Sequence, residues 1–143
     1  MFQTIVVGTD GSSRAGLAVQ EAVDLARSQG ARLHLVAAFS SHERHWETLQ
    51  TTARGETVDL REVAESVLAR EGRKAEEQGV EVEWGAREGD PAEVLLEAAV
   101  EVGADLIVVG SKGMAGVKRF VMGSVPNKVS HHAPCSVMVV RTD

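Results

Sequence analysis

The chain has 143 residues, a formal net charge of −6, 3% aromatic residues and no tyrosine, so a single domain over 1–143 would build its core from Val, Leu, Ile and Ala. The acidic balance argues against a general nucleic-acid binder. No apolar run approaches the ~20 residues that a membrane helix needs, and the start MFQTIVVG lacks the basic flank and cleavage site of a signal peptide. Cys135 is the one cysteine, which leaves no internal disulfide and fits the cytoplasm.

TIVVG, Thr4 to Gly8, is a β-branched run closed by glycine and reads as a buried strand. Ala15, Ala18, Ala22, Leu25 and Ala26 recur at helical spacing, and Gly30 is placed to stop that helix. RLHLVAAF, Arg32 to Phe39, is the second strand. Ser40 to Glu56 is polar and without period, which predicts a long loop, of a length that is usually functional or mobile, whose role the sequence does not name. A helix is predicted from about Thr57 to Gln78, with Leu60, Val63, Ala64, Val67, Leu68 and Ala75 as its apolar side. VEVEW, Val80 to Trp84, alternates as an edge strand should.

Asp90 is placed to cap the next helix, with Pro91 at its first position and Glu93 closing a capping box. Val94, Leu95, Ala98, Ala99 and Val102 form its apolar face, and Gly103 ends it. LIVVG, Leu106 to Gly110, is the fourth strand; a short helix from about Ser124 to His132 and the strand SVMVV, Ser136 to Val140, complete the chain. Strand–helix alternation predicts an α/β fold with a mainly parallel sheet covered on both faces, TIVVG and LIVVG at its centre.

The chemistry concentrates after the fourth strand. Gly110, Gly113, Gly123 and Ser124 stand as G-x2-G-x9-G-S. No acidic residue lies between Asp105 and Asp143, a segment that carries Lys112, Lys118, Arg119, Lys128 and Arg141. Glycines let a backbone approach a ligand, and a helix N-terminus offers unpaired N–H groups with partial positive charge. Ser124, as N-cap, would keep its hydroxyl free for a phosphate. The spacing is neither a Walker A loop nor the G-x-G-x-x-G dinucleotide fingerprint. His42 and His45 lack the companions of a zinc site, and His131 and His132 suit a helix end. Nothing forms a nucleophile–base–orienter triad, so binding of a phosphate compound rather than catalysis is expected, with slow hydrolysis of the bound phosphate as the most an enzyme reading supports.

TIVVGTDGS, GADLIVVGSKG and GSVPNKVSHHAPCSVMVV resemble the universal stress protein family over nearly the whole chain. The resemblance implies a doubly wound, Rossmann-like five-stranded parallel sheet in the order 3-2-1-4-5. It implies ATP binding with Mg2+ or Mn2+, because the glycine pattern is that of the ATP-binding branch. By the same resemblance, Asp10 would meet the ribose or the metal-bound phosphates, and Thr9 would line the same wall. Ala38 would offer its backbone to adenine, Val109 would pack on base or sugar, and Gly110, Gly113, Gly123, Ser124 and Val125 would surround ribose and phosphates. Many members carry His-Val where this chain has Ala37-Ala38, which leaves a roomier adenine end; other branches prefer cyclic AMP. An antiparallel homodimer through Ser136 to Val140 is implied as well, along with a role as a nucleotide-dependent stress-response regulator whose downstream protein partner the sequence does not name.

Overall fold

A computed structural model describes residues 1–40, 59–111 and 122–142. Its elements alternate as β1 (Thr4–Gly8), α1 (Ser13–Gln29), β2 (Arg32–Phe39), α2 (Leu60–Glu77), β3 (Val82–Glu88), α3 (Pro91–Val102), β4 (Leu106–Gly110), α4 (Ser124–His132) and β5 (Ser136–Val140). All strand pairs are parallel, in the order β3-β2-β1-β4-β5. This is the doubly wound arrangement expected from the sequence. β1 lies at the centre with β4 beside it, so both are covered on two faces, as their unbroken apolar runs require.

The pleat divides the core into two layers. Ile5, Val7, Leu33, Leu35, Ala37 and Val108 face α1 and α2. Val6, Val36, Ile107 and Val109 face α3 and α4. A fully buried Val, Leu or Ile stabilises the fold by about 1.5–3 kcal/mol, so these short strands are the principal apolar contributors. Gly30 and Gly103 end α1 and α3 in the left-handed conformation, at φ 67° and 66°, where a Cβ would be penalised. Asp105 ties the start of β4 to β1 by accepting from the backbone N–H of Gln3 at 2.9 Å and of Thr4 at 3.0 Å. No helix among the described residues is long and apolar enough to cross a membrane.

Several local readings are corrected. α2 begins at Leu60, capped by Asp59, whose side chain accepts from Arg61 N. Val63 was expected on its apolar side but is 45% exposed, because the inward stripe runs through Ala64, Leu68, Gly72 and Ala75, and Val63 lies a quarter-turn away. That stripe also carries the buried Glu71. β3 runs to Glu88 instead of ending at Trp84, since its partner β2 continues in register to the pair Phe39–Glu88. The loop reading for Ser40 to Glu56 and the histidines His42 and His45 fall outside the described residues, apart from Ser40.

Candidate functional site

β1 ends at Gly8, and the chain turns through Thr9, Asp10 and Gly11 into α1. The turn is held locally. Thr9 donates its backbone N–H to Val36 O at 2.9 Å, and Thr9 Oγ1 accepts from Gly11 N at 3.2 Å. Asp10 Oδ1 accepts from Ser12 N at 2.9 Å. Ser12, not Asp10, caps α1, with Oγ accepting from Ala15 N at 3.1 Å. The exposed Asp10 carboxylate therefore shapes the turn with one oxygen while remaining at its rim.

β4 ends beside this turn at Gly110, and the chain returns at Gly123 to start α4. Ser124 was expected to be the N-cap. The extended residue is Gly123 instead, at φ −64° and ψ 169°, with no side-chain cap bond, so Ser124 is the first helical residue. The N–H groups of Ser124 and Val125 thus have no acceptor within the helix, and Pro126 has no N–H. Among the described residues, no side chain caps the positive end of α4.

Thr9, Asp10, Ala38, Val109, Gly110, Gly123, Ser124 and Val125 come together around one cavity of about 530 Å³. It opens at the carboxyl ends of β1, β2 and β4, where the sheet order reverses, which is where open α/β sheets take ligands. Gly113 lies outside the described residues, as do Lys112, Lys118 and Arg119 of the acid-free block. Of the pair Ala37-Ala38, only Ala38 lines the cavity; Ala37 belongs to the core layer on the opposite face.

Sequence reasoning missed the wall contributed by α3. Pro91, Val94 and Leu95 line the cavity opposite the strand ends, and Pro126 adds to it from α4. Their only sequence signal was the apolar period of α3, which marks a buried face without saying that part of it faces a cleft. The expected capping box is half made. Asp90 accepts from Glu93 N at 3.2 Å, while the Glu93 carboxylate accepts from Lys128 Nζ at 3.1 Å. Lys128 also lies 3.7 Å from Asp90, so this base joins α4 to α3 behind the cavity instead of facing it. These acids raise the affinity of the Lys128 amine for its proton.

The architecture is that of a doubly wound α/β protein with a largely apolar cleft at its switch point and, among the described residues, a helix N-terminus without a side-chain cap lining that cleft. The chain belongs to the universal stress protein family: the family model matches residues 1–141. The universal stress protein YxiE of Bacillus subtilis (strain 168) is 34% identical over an alignment of 155 residues that covers 99% of this chain and 100% of the relative. A universal stress protein solved in complex with cAMP is 29% identical, with a TM-score of 0.73, covering 99% of this chain and 98% of its own. The solved structure of the hypothetical protein MJ0577 shares the fold at a TM-score of 0.81 and 24% identity, covering 100% of this chain and 98% of its own.

Proposed function

We propose that this universal stress protein binds ATP with a divalent cation and acts as a nucleotide-dependent regulator of a stress response in the cytoplasm, as a homodimer through β5. The observation that carries the reading is the N-terminus of α4, which no side chain among the described residues caps, at the edge of the cavity. It offers the Ser124 and Val125 N–H groups to an anion, next to the apolar wall of Ala38, Val94, Leu95 and Val109 that suits a base. A base, a sugar and a phosphate chain need those two environments side by side.

The donor set fits a shared cation. Among the described residues no group of three or more His, Cys, Asp or Glu could hold a metal by itself. Asp10 brings a single carboxylate to the cavity. One carboxylate together with phosphate oxygens and water is the usual surrounding of Mg2+ at a nucleotide. Asp10 would thereby orient the phosphates, and Thr9 and Gly110 would fix the sugar between the two strand ends. The cation would neutralise phosphate charge that Asp10 otherwise repels.

A second reading is cyclic AMP, favoured by the cAMP complex of the relative at 29% identity. Mass spectrometry of protein purified without added nucleotide tests the ligand class, and competition between ATP–Mg2+ and cyclic AMP in calorimetry tests the choice. The expected result is a co-purified adenine nucleotide and tighter binding of ATP. Recovery of no nucleotide together with no measurable binding of either compound would overturn the reading.

A further inference from the structure

One residue gathers the end of β4, the cap of α4 and the run-out of β5. Ser111 is the first residue past β4. It donates its backbone N–H to Val140 O at 2.7 Å, and its carbonyl accepts from Gly123 N at 2.9 Å. Its side-chain Oγ accepts from Thr142 N at 3.0 Å and lies 3.4 Å from Thr142 Oγ1. Thr142 is 5% exposed, so its bond to the Ser111 hydroxyl is made largely away from water, where loss of an acceptor costs most.

The consequence falls on Gly123. This residue caps α4 with its backbone alone, so the direction of the Ser124 and Val125 N–H groups follows from how Gly123 is held. Gly123 N is held by Ser111, and Ser111 is held from the far side by residues 140 and 142. Any residue could make the two backbone bonds. Only a side chain with an acceptor at that reach makes the third.

We propose that Ser111 is a positioning residue for the anion-binding end of the cleft, and that through it phosphate binding is linked to the chain beyond β5. The proposal rests on the nucleotide reading above. Linkage is reciprocal. A phosphate drawn onto Ser124 and Val125 steadies Gly123, then Ser111, then the Thr142 amide. Whatever loosens residues 140–142 weakens the grip on phosphate by the same factor. A strand paired along β5 would act on the same three bonds, so occupancy of the cleft and pairing at the sheet edge favour each other.

The test compares the wild type with Ser111→Ala and Ser111→Thr, using ATP–Mg2+ and adenosine in calorimetry and amide hydrogen exchange at Thr142. Loss of one neutral hydrogen bond predicts roughly a 2–10-fold weaker ATP affinity for Ser111→Ala. Adenosine, which has no phosphate, should be held as before, and Ser111→Thr should recover most of the ATP affinity. ATP should slow exchange at the Thr142 amide in the wild type and not in Ser111→Ala. Unchanged ATP affinity, or an equal loss for ATP and adenosine, would overturn the positioning role while leaving the nucleotide reading intact. A wild type that binds neither compound would overturn both. If Ser111→Ala does not fold, the wild-type exchange decides alone, and Thr142 exchange indifferent to ATP rejects the linkage.

Discussion

The Trp84 ring occupies the place that a side chain on Gly72 would need. A Cβ built on Gly72 of α2 would sit 2.1 Å from Trp84 Cε3 and 2.3 Å from Cζ3. A glycine within a helix normally costs about 1 kcal/mol relative to alanine. Here it lets α2 lie close enough to edge strand β3 for an indole to fill the gap. Gly72→Ala should therefore destabilise the protein, by a net ~1–2 kcal/mol once overpacking is set against helix propensity. Urea denaturation measures it. Gly72→Ala combined with Trp84→Leu should lose less than the two changes added, because the second removes the clash created by the first.

His34 gives the fold a pH dependence. On β2, its Nε2 is buried without a hydrogen-bond partner among the described residues, and its Nδ1 lies 4.0 Å from Glu83 Oε2. Burial holds the imidazole pKa below the ordinary histidine value, and Arg87 adds to that, against the opposing pull of Glu83 and Glu101. A depressed histidine pKa means that the unfolded chain takes up the proton first. The contribution is fully present above about pH 6.5 and is lost as pH falls below that value toward the lowered pKa. Thermal melts at pH 7.5 and 5.5 should show the loss, and His34→Leu should flatten this part of the profile. Because leucine leaves no orphaned nitrogen, its stability at pH 7.5 should equal or exceed the wild type; a marked loss there would give His34 a partner that this geometry lacks.

Asp10 separates a metal contact from a turn contact. Asp10→Asn keeps an acceptor for Ser12 N and removes the charge. ATP affinity should fall roughly tenfold in magnesium, the scale of a charge-assisted contact, and stay level or rise in EDTA, where the carboxylate only repels phosphate. Calorimetry under the two conditions checks it. Equal affinities for variant and wild type in magnesium would leave Asp10 as a turn residue alone.

Among the described residues, only β4 pairs with β5, at one of its two edges. Ser111 N donates to Val140 O, so Val140 turns its backbone groups toward β4, and Val139 turns its own outward. Val139 is 38% exposed. Val139→Pro removes a donor that the ladder to β4 does not use, so the fold should survive and pairing along the open edge should fail. Light scattering over a dilution series should give a wild-type dimer and a variant monomer with an unaltered circular dichroism spectrum. A wild type that stays monomeric at roughly tens of micromolar, where a standard interface holds, would reject pairing through this edge.

What the sequence disclosed followed from strong local signals. The β-branched runs at Thr4–Gly8 and Leu106–Gly110, the proline start of α3 and the glycine stops mark elements by their own chemistry, and strand–helix alternation then leaves few topologies. β3 was read short because Gly85, Ala86, Arg87 and Glu88 have little intrinsic strand preference; pairing with β2 decides their conformation. The glycine-serine turn identified one side of the cavity. Pro91, Val94 and Leu95 were invisible as its other side, because which part of an apolar helix face meets a cleft is settled only by packing. Lys128 was misleading for a similar reason. An acid-free stretch of chain says nothing about acids brought to it by another helix.

The register of β1 also governs how this protein is born. Ile5 is flanked by Leu33 on one side and by Leu106 on the other, and the second neighbour is encoded about a hundred residues later. At a translation rate of ~5–20 residues per second, β1 waits roughly 5–20 s with one apolar edge bare. During that interval β1, β2 and β3 can already pair, while no cleft exists, since one of its walls and its uncapped helix are still inside the ribosome. The growing chain thus carries an open, sticky sheet edge until β4 arrives, and ligand can assist only the last step of its folding.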